Sequence, residues 1–505
     1  MTTRRDARAW RAALLVTAAA TFVRLAFAAL LPLFPDETYY WDWSRHLAGG
    51  YFDHPPMIAL LIRGGTALAG LLGAGPSPFA VRLVPVLAGT MASLGALSIA
   101  RRVGGDVAAR TAALVFAVMP LAATGLVLAT PDAPLLACSA AGLYCVVRAF
   151  QSDVRSRDSL AWWSLAGVAL GMAFASKYTS ILLPLTIVVA VLARPSLRAR
   201  LREPGPYVAC VIATLVFLPV LRWNAAHDWI SFRFQLQHGL GTPKGSALKR
   251  ELDLIGGQLG LVSPILFALV AASVWRSLRR PTDDARFVLA VVAVGSWVFF
   301  AYSALRRAVE PNWPAPSYIP GVALLAADAL TLTSDRWLRS GMALAALIVG
   351  VLYLQAVLPI LPLPARRDPI ARSAGWESLA ARVDEARGSA SAHTWLGAER
   401  YQDVSELAYH AAGRPPVFCT CLFGRRNQYE LWPGFADRAM RGDTLVLALD
   451  ERTGVHEAVA RLSPYFDGVT RGALAPLVRR GDTVTVRRVW MLAGYRGGWP
   501  ARLGP

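Results

Sequence analysis

The chain has 505 residues, of which 55% are hydrophobic and only 17% are charged. A water-soluble protein of this size needs more polar surface, so the composition favours an integral membrane protein. The formal net charge of +19 comes mainly from arginines in short clusters between apolar segments. Such clusters are typical of membrane-topology signals, and we expect no nucleic-acid partner.

Eleven segments are predicted to span a membrane as helices, since a helix needs about 20 mainly apolar residues to cross the hydrocarbon. In chain order they are residues 12–33, 79–100, 110–129, 133–150, 160–176, 178–194, 206–222, 254–275, 287–305, 315–333 and 340–361. The first segment is too long for the core of a typical signal peptide, so we interpret it as an uncleaved anchor. Segment 56–73 contains Arg63 and two glycines, and we interpret it as a short interfacial or re-entrant helix.

Arginine clusters predict the orientation of these helices. If segment 56–73 does not span, every arginine cluster of the membrane part except Arg306 and Arg307 falls on the side of the amino terminus. Positively charged loops favour the cytoplasmic side, so we predict a cytoplasmic amino terminus in the inner membrane. An odd number of spans then places the carboxy terminus outside the cytoplasm.

The sequence changes character after residue 362. A proline- and arginine-bearing linker leads into residues 363–505, where strand-like runs alternate with amphipathic helical stretches. We therefore predict a membrane domain over 1–362 and a small extracytoplasmic α/β domain over 363–505. We expect the second domain to cover the site or help position the acceptor. Cys419 and Cys421 are interpreted either as two thiols or as a redox-labile pair.

Ionisable chemistry collects in the loops predicted to lie outside the cytoplasm. The inner loops are short and arginine-rich, and the sequence contains neither a G-x-x-x-x-G-K-[ST] motif nor a D-x-D motif. A transferase that uses a cytoplasmic nucleotide donor needs such a phosphate- or metal-binding motif on a folded domain. We therefore expect an activated group that is delivered on a lipid.

The first outer loop, residues 34–56, carries the strongest candidates. In a helix that begins at Asp36, the side chains of Tyr40 and Trp43 share a face with this carboxylate. Aromatic rings of this kind stack on sugars, although aromatic residues at a membrane exit also serve as interfacial anchors. Asp53 and His54 offer an oxygen and an imidazole ligand for a divalent metal ion of unknown identity.

Other outer loops supply further candidates. Asp132 is interpreted either as a helix cap or as a site residue. Lys177 interrupts an apolar stretch, and a cation at membrane depth usually has a functional role, so we predict that it contacts a phosphate. The alternative is that its side chain extends to the membrane surface. His238 is a candidate second metal ligand beside Asp53, and Arg306 and Arg307 are candidate phosphate contacts.

Several motifs in order resemble a known family. They are FPDETYYWDWSRHLAGGYFDHPPMIALLI, RLVPVLAG, LATPDAP, ASKYTSILL, FLPVLRWNAAHDWISFRFQLQHGLG, GGQLGLVSPILF, RRAVEPNWPAPSY and YQDVSELAYHAAGRPPVFCTCLFGRRNQYELWP. Together they resemble the bacterial glycosyltransferases related to the protein O-mannosyltransferases and to the lipid A aminoarabinose transferase. The resemblance implies a GT-C fold, an all-α polytopic membrane domain followed here by the small α/β domain.

The resemblance also implies site roles. Asp36 matches the proposed catalytic base, with Glu37 beside it, and Asp53 matches an acidic residue that helps hold a metal ion. His54 stands where the aminoarabinose transferase has a lysine near the donor phosphate, so a phosphate contact, a metal ligand or neither remain open for it.

The predicted function is transfer of a sugar from a polyprenyl-phosphate donor to an envelope acceptor, with inversion at the anomeric carbon. The acceptor would be lipopolysaccharide or lipid A, another cell-surface glycan or a protein. The alternatives are a transporter or flippase of lipid-linked sugars, and a glycan polymerase or ligase. A transporter would be expected to show inverted repeats and ionisable groups at mid-membrane depth, and the sequence shows neither.

Overall fold

The structure, a computed structural model, describes residues 4–243, 245–329, 335–358, 360–368, 370–390, 393–451 and 455–503. It separates into two compact units. The helical unit comprises Met1–Leu30 and Leu47–Gln355, and the terminal unit comprises Leu31–His46 and Ala356–Pro505. The predicted boundary at residue 362 stays a prediction, but the first-loop residues 31–46 group with the carboxy-terminal residues.

Helices make up most of the chain. In order they are α1 (Arg4–Leu30), α2 (Pro35–Arg45), α3 (Met57–Leu71), α4 (Pro78–Val118), α5 (Pro120–Ala123), α6 (Asp132–Gln151), α7 (Arg157–Phe174), α8 (Leu182–Ala193), α9 (Pro195–Arg198), α10 (Gly205–Ala226), α11 (Ile230–Leu240), α12 (Ala247–Val262), α13 (Pro264–Arg279), α14 (Asp284–Ala304), α15 (Tyr318–Asp328), α16 (Asp335–Val357), α17 (Trp376–Gly388), α18 (Tyr401–His410) and α19 (Val455–Leu462).

Helix length and hydropathy alone identify fewer spans than the eleven predicted. Within the described ranges, six helices are long and apolar enough to cross a membrane, or up to eight if each of two bent pairs counts as one span. The described residues of segment 315–333 contain a 3-10 turn, Ala315–Ser317, followed by the 11-residue helix α15. Segment 254–275 is bent by 101° where α12 meets α13. Segment 56–73 forms the 15-residue helix α3, which is shorter than a span.

Glycines explain two features of the helical unit. The predicted spans 79–100 and 110–129 meet in the 41-residue helix α4, which breaks at Gly105 with a φ of 77°, a conformation that glycine adopts without steric cost. Gly95 on α4 faces Ala140 on α6 so closely that a Cβ at residue 95 would lie 2.5 Å from the Ala140 Cβ. Small residues of this kind let membrane helices pack at short distance.

The terminal unit contains a five-stranded sheet, which confirms the predicted small α/β domain. The strands are β1 (Thr394–Ala398), β2 (Val417–Cys419), β3 (Thr444–Asp450), β4 (Phe466–Arg479) and β5 (Asp482–Tyr495), in the order β2-β1-β3-β5-β4. Strand β1 pairs in parallel with β2 and β3, and β5 pairs antiparallel with β3 and β4. The β3 residues Leu445, Leu447 and Leu449 are buried in the core of this unit.

A buried ion pair fixes helix α18 to this sheet. Arg487 on β5 donates from Nη2 to Asp403 Oδ1 at 3.0 Å and from Nε to Asp403 Oδ2 at 3.2 Å. Arg487 also lies 3.1 Å from Asp450 Oδ2, at the end of β3. Since bidentate arginine–carboxylate pairs are geometrically specific, α18 is held in one orientation on the sheet.

Cys419 and Cys421 form a disulfide, which decides between the two interpretations of this pair. Glu399, which follows β1, stands beside the bridge and accepts hydrogen bonds from the Thr420 hydroxyl and, at 2.6 Å, from Phe423 N. The loop after β2 is therefore tied to the end of β1.

Candidate functional site

The two acids at the start of α2 have different environments. Pro35 occupies the first turn of the helix, where its missing N–H costs nothing. Glu37 is 1% exposed, and its Oε2 accepts a hydrogen bond from Phe34 N at 3.0 Å. This bond is the acidic half of a capping box. Asp36 is half-buried instead. The catalytic role of Glu37 stays a prediction, but its carboxylate caps the helix, and Asp36 is the better candidate for proton transfer.

Helix α18 lies directly against this acid within the terminal unit. The Tyr401 hydroxyl donates to Asp36 Oδ1 at 3.0 Å. One turn later, the Ser405 hydroxyl lies 3.2 Å from the Pro35 carbonyl oxygen and 3.0 Å from Thr38 Oγ1. In the sequence, only the family resemblance distinguishes the segment that contains Tyr401. Its contact with Asp36 spans 365 residues and leaves no local pattern.

Helix α18 also contributes an acid, Glu406, to this region. Glu406 is completely buried, and its Oε2 lies 3.3 Å from His410 Nε2. Burial raises the pKa of Glu406 well above its usual value, and the nearby Glu37 carboxylate raises it further. Burial lowers the pKa of His410. Glu406 therefore favours its protonated form, and His410 its neutral form.

The aromatic residues of α2 pack inside the terminal unit. Trp43 is 0% exposed, and its ring centroid lies 4.8 Å from that of Tyr39 and 5.0 Å from that of Tyr40. Tyr40 is 8% exposed. Sugar stacking by Tyr40 and Trp43 needs an exposed ring face, and the burial of Trp43 argues against it. We interpret both rings as core residues that support the helix.

In the helical unit, three predicted outer loops converge on Asp132. Lys177 Nζ lies 2.7 Å from Asp132 Oδ1, and Asn312 Nδ2 donates to Asp132 Oδ2 at 2.6 Å. Asp132 is the first residue of α6 rather than its cap, and its side chain caps no backbone N–H. The cap interpretation is therefore wrong. Asn312 lies in the motif EPNWPAP, where no local pattern distinguishes it from its neighbours.

Lys177 is held away from solvent by this arrangement. Its side chain is 9% exposed and that of Asp132 is 14% exposed. A buried ammonium group is stable only with a partner, and Asp132 provides one. The position does not match a lysine that reaches out to the membrane surface. Its predicted phosphate contact stays a prediction.

The predicted metal site receives little support. Asp53 is buried, and its backbone oxygen accepts a hydrogen bond from Gln235 Nε2 at 2.6 Å. His54 O accepts one from Tyr51 N at 3.1 Å. The His238 ring is stacked on Phe234 with centroids 5.4 Å apart. Among the described residues, no three His, Cys, Asp or Glu side chains group closely enough to hold a metal ion. The metal roles of Asp53 and His238 therefore stay predictions.

Arg306 and Arg307 contact the end of α11. Arg306 Nε donates to Leu240 O at 3.1 Å. The Arg307 guanidinium lies so close to Gly241 that a Cβ there would be 2.6 Å from Nη2. Arg306 therefore ties the end of α11 to the loop after α14, and Arg307 packs against Gly241. Their predicted contacts with a phosphate stay predictions.

Comparison with known proteins confirms the resemblance drawn from the motifs. Residues 53–223 match the family described as dolichyl-phosphate-mannose-protein mannosyltransferase. The structure is similar to that of ArnT from Cupriavidus metallidurans in the apo state, with a TM-score of 0.66 and 16% identity over 95% of this chain and 97% of that one. The chain therefore has the GT-C fold of ArnT, and over residues 53–223 it is similar to this mannosyltransferase family. With its apolar helices, it is a multi-pass membrane protein.

Two further proteins are similar to this chain. The structure of ArnT from Cupriavidus metallidurans bound to undecaprenyl phosphate matches this chain with a TM-score of 0.65 and 17% identity over 95% of this chain and 97% of that one. The lipid A galacturonosyltransferase RgtD from Rhizobium johnstonii is 29% identical over 292 residues. That match covers 58% of this chain and 59% of the relative's length.

Proposed function

We propose that this protein is a glycosyltransferase that moves a sugar from a polyprenyl-phosphate donor to an envelope acceptor. The acceptor class we favour is lipid A or lipopolysaccharide, because the similar curated protein is named a lipid A galacturonosyltransferase. A lipid donor is supported by the fold shared with ArnT, which has been solved with undecaprenyl phosphate. The proposal depends most on Asp36. Its carboxylate is half-buried at the start of α2 and accepts a hydrogen bond from the Tyr401 hydroxyl.

Asp36 acts as the general base. Its carboxylate takes the proton of an acceptor hydroxyl while the hydroxyl oxygen bonds to the anomeric carbon of the donor sugar. The bond between that carbon and the phosphate oxygen breaks, and the electron pair leaves with the lipid phosphate. Attack opposite to the leaving group inverts the anomeric centre.

The cluster of Asp132, Lys177 and Asn312 serves the leaving group. Lys177 contributes a positive charge to the lipid phosphate, where charge increases as the bond breaks. Asp132 and Asn312 fix the position of the ammonium group, as their contacts in the helical unit indicate. No step of this proposal uses a metal ion.

The reaction takes place on the outer face of the cytoplasmic membrane. The arginine-rich loops support this orientation, with a cytoplasmic amino terminus and an extracytoplasmic terminal unit. Reporter fusions after residues 105, 200 and 280 should give a cytoplasmic signal, and fusions after residues 50, 240 and 400 an extracytoplasmic one. A cytoplasmic signal at residue 400 would contradict it.

A donor assay tests the proposed function. The full-length protein in detergent receives lipid A and either a set of undecaprenyl-phosphate sugars or the corresponding nucleotide sugars without lipid carrier. We expect transfer only from a lipid-linked sugar, and much slower transfer with the Asp36→Asn protein. Turnover from a nucleotide sugar alone would refute the lipid donor. Translocation of the lipid-linked sugar across vesicles without transfer would favour the flippase alternative.

A further inference from the structure

We propose that Tyr401 is a positioning residue for the base Asp36, so that the terminal unit orients the catalytic carboxylate. This inference rests on the proposed function and goes beyond it, because it assigns part of the catalytic machinery to helix α18. The expectation that the carboxy-terminal residues cover the site or help position the acceptor stays a prediction beside it.

The geometry of α18 supports this role. Tyr401, Ser405 and Tyr409 are four residues apart and therefore share one face of the helix. Tyr401 contacts Asp36 at 3.0 Å, and the Tyr409 ring lies 5.0 Å from that of Trp41. Between them, Ser405 contacts the Pro35 carbonyl oxygen. The face follows α2 from its first turn to its second, so each residue of this face has a partner on α2.

Other contacts hold Tyr401 itself in place. Its ring centroid lies 4.6 Å from that of Tyr39, and the Arg425 guanidinium stands 5.0 Å above the ring. The opposite side of α18 is fixed to the sheet through Asp403 and Arg487. The hydroxyl is therefore presented to Asp36 by a rigid element rather than by a mobile loop.

The hydrogen bond explains what the hydroxyl does for catalysis. Donation to Oδ1 fixes the rotation of the carboxylate, so that Oδ2 has a defined direction in which to accept a proton. A base that is misplaced by about 1 Å can lose about 10²-fold in rate. Tyr401 does not exchange a proton with the substrate in this proposal. It acts through Asp36.

The chain contains a matched control. Tyr429 also donates its hydroxyl to an aspartate of α2, Asp42, with 2.9 Å between Tyr429 Oη and Asp42 Oδ2. Asp42 is 5% exposed and also accepts a hydrogen bond from Arg45 at 3.2 Å. Burial raises the pKa of Asp42. This second tyrosine–aspartate pair is more deeply buried than the first and lies further along α2.

The test compares Tyr401→Phe with Tyr429→Phe in the full-length protein. Each variant loses one hydroxyl and keeps its ring. We expect Tyr401→Phe to lower kcat about 10- to 100-fold, with KM for the lipid donor and Tm little changed. We expect Tyr429→Phe to lower Tm and to leave the kcat of the folded protein unchanged. In the Asp36→Asn background, Tyr401→Phe should cause no further loss, because the hydroxyl acts through that carboxylate.

The possible outcomes separate this inference from the proposed function. Equal kcat values for Tyr401→Phe and Tyr429→Phe, or additive losses for Tyr401→Phe and Asp36→Asn, would overturn the positioning role while Asp36 remained the base. A folded Asp36→Asn protein with normal turnover would overturn the proposed base itself. A drop in Tm for Tyr401→Phe with unchanged kcat would show that this tyrosine is only structural.

Discussion

Replacing Lys177 by glutamine should weaken binding of the lipid donor. The change removes the positive charge 2.7 Å from Asp132 Oδ1 while keeping a polar side chain of similar length. A hydrogen bond to a charged group contributes about 1.5–3 kcal/mol. If Lys177 contacts the phosphate, its loss should raise the Kd for undecaprenyl phosphate about 10- to 150-fold, since about 1.4 kcal/mol corresponds to a factor of ten.

Binding can be measured by titrating undecaprenyl phosphate into the detergent-solubilised protein. Lys249→Gln is the matched control, because Lys249 is also paired with an aspartate, Asp253, at 2.6 Å, but its side chain is 75% exposed. Exposed pairs of this kind contribute about 0.3–0.5 kcal/mol. The control should therefore bind the lipid phosphate like the unmodified protein and have nearly the same Tm.

A different result would identify Lys177 as a structural residue. If Lys177 only compensates the buried Asp132 carboxylate, Lys177→Gln should lower Tm and leave the Kd for undecaprenyl phosphate unchanged. Asp132→Asn should then restore part of the lost Tm in the double variant, because it removes the uncompensated charge. That combination would refute the assigned phosphate contact.

Two further predictions concern the terminal unit. Burial, and secondly the Glu37 carboxylate, raise the pKa of Glu406 well above its usual 4.5. The folded state therefore keeps a proton that the unfolded state releases. The free energy of unfolding should fall as pH rises above about 4.5. The Tm of Glu406→Gln should exceed that of the unmodified protein by a margin that grows from about pH 5 to about pH 8, and a margin independent of pH would contradict this. Arg487→Met should lower the free energy of unfolding by about 3–5 kcal/mol, because it leaves the buried Asp403 carboxylate without its bidentate cation. Thermal denaturation should show a loss of about 6–20 °C, and a loss below about 2 °C would refute this role of the ion pair.

Much of the fold could be predicted because its signals are local in sequence. Apolar segments and arginine clusters mark a multi-pass protein, and the ordered motifs predict the GT-C fold. The number of spans was less accessible. Gly105 interrupts a helix that continues on both sides, and Ser263 separates two helices that meet at 101°. A hydropathy pattern reports how apolar a segment is, but not whether its backbone bends.

The site was predicted in part for the same reason. Asp132 and Lys177 stand out as charges beside apolar segments, and the structure brings them together. Glu37 could have been recognised as a cap, since it follows Pro35 at the start of a helix. The contact of Tyr401 with Asp36 could not be predicted, because one sequence contains no information on which distant residues pack together.

The most direct test of the account is a single-turnover measurement on Asp36→Asn. Asparagine keeps the shape of the side chain and can still accept the Tyr401 hydrogen bond, but it cannot take a proton. With a lipid-linked sugar and acceptor in excess, we expect the chemical step to slow by about 10²–10⁴-fold, while the Kd for the lipid donor is unchanged. Glu37→Gln, which alters the capping carboxylate, should slow this step far less. A folded Asp36→Asn protein that transfers sugar at the normal rate would contradict the account.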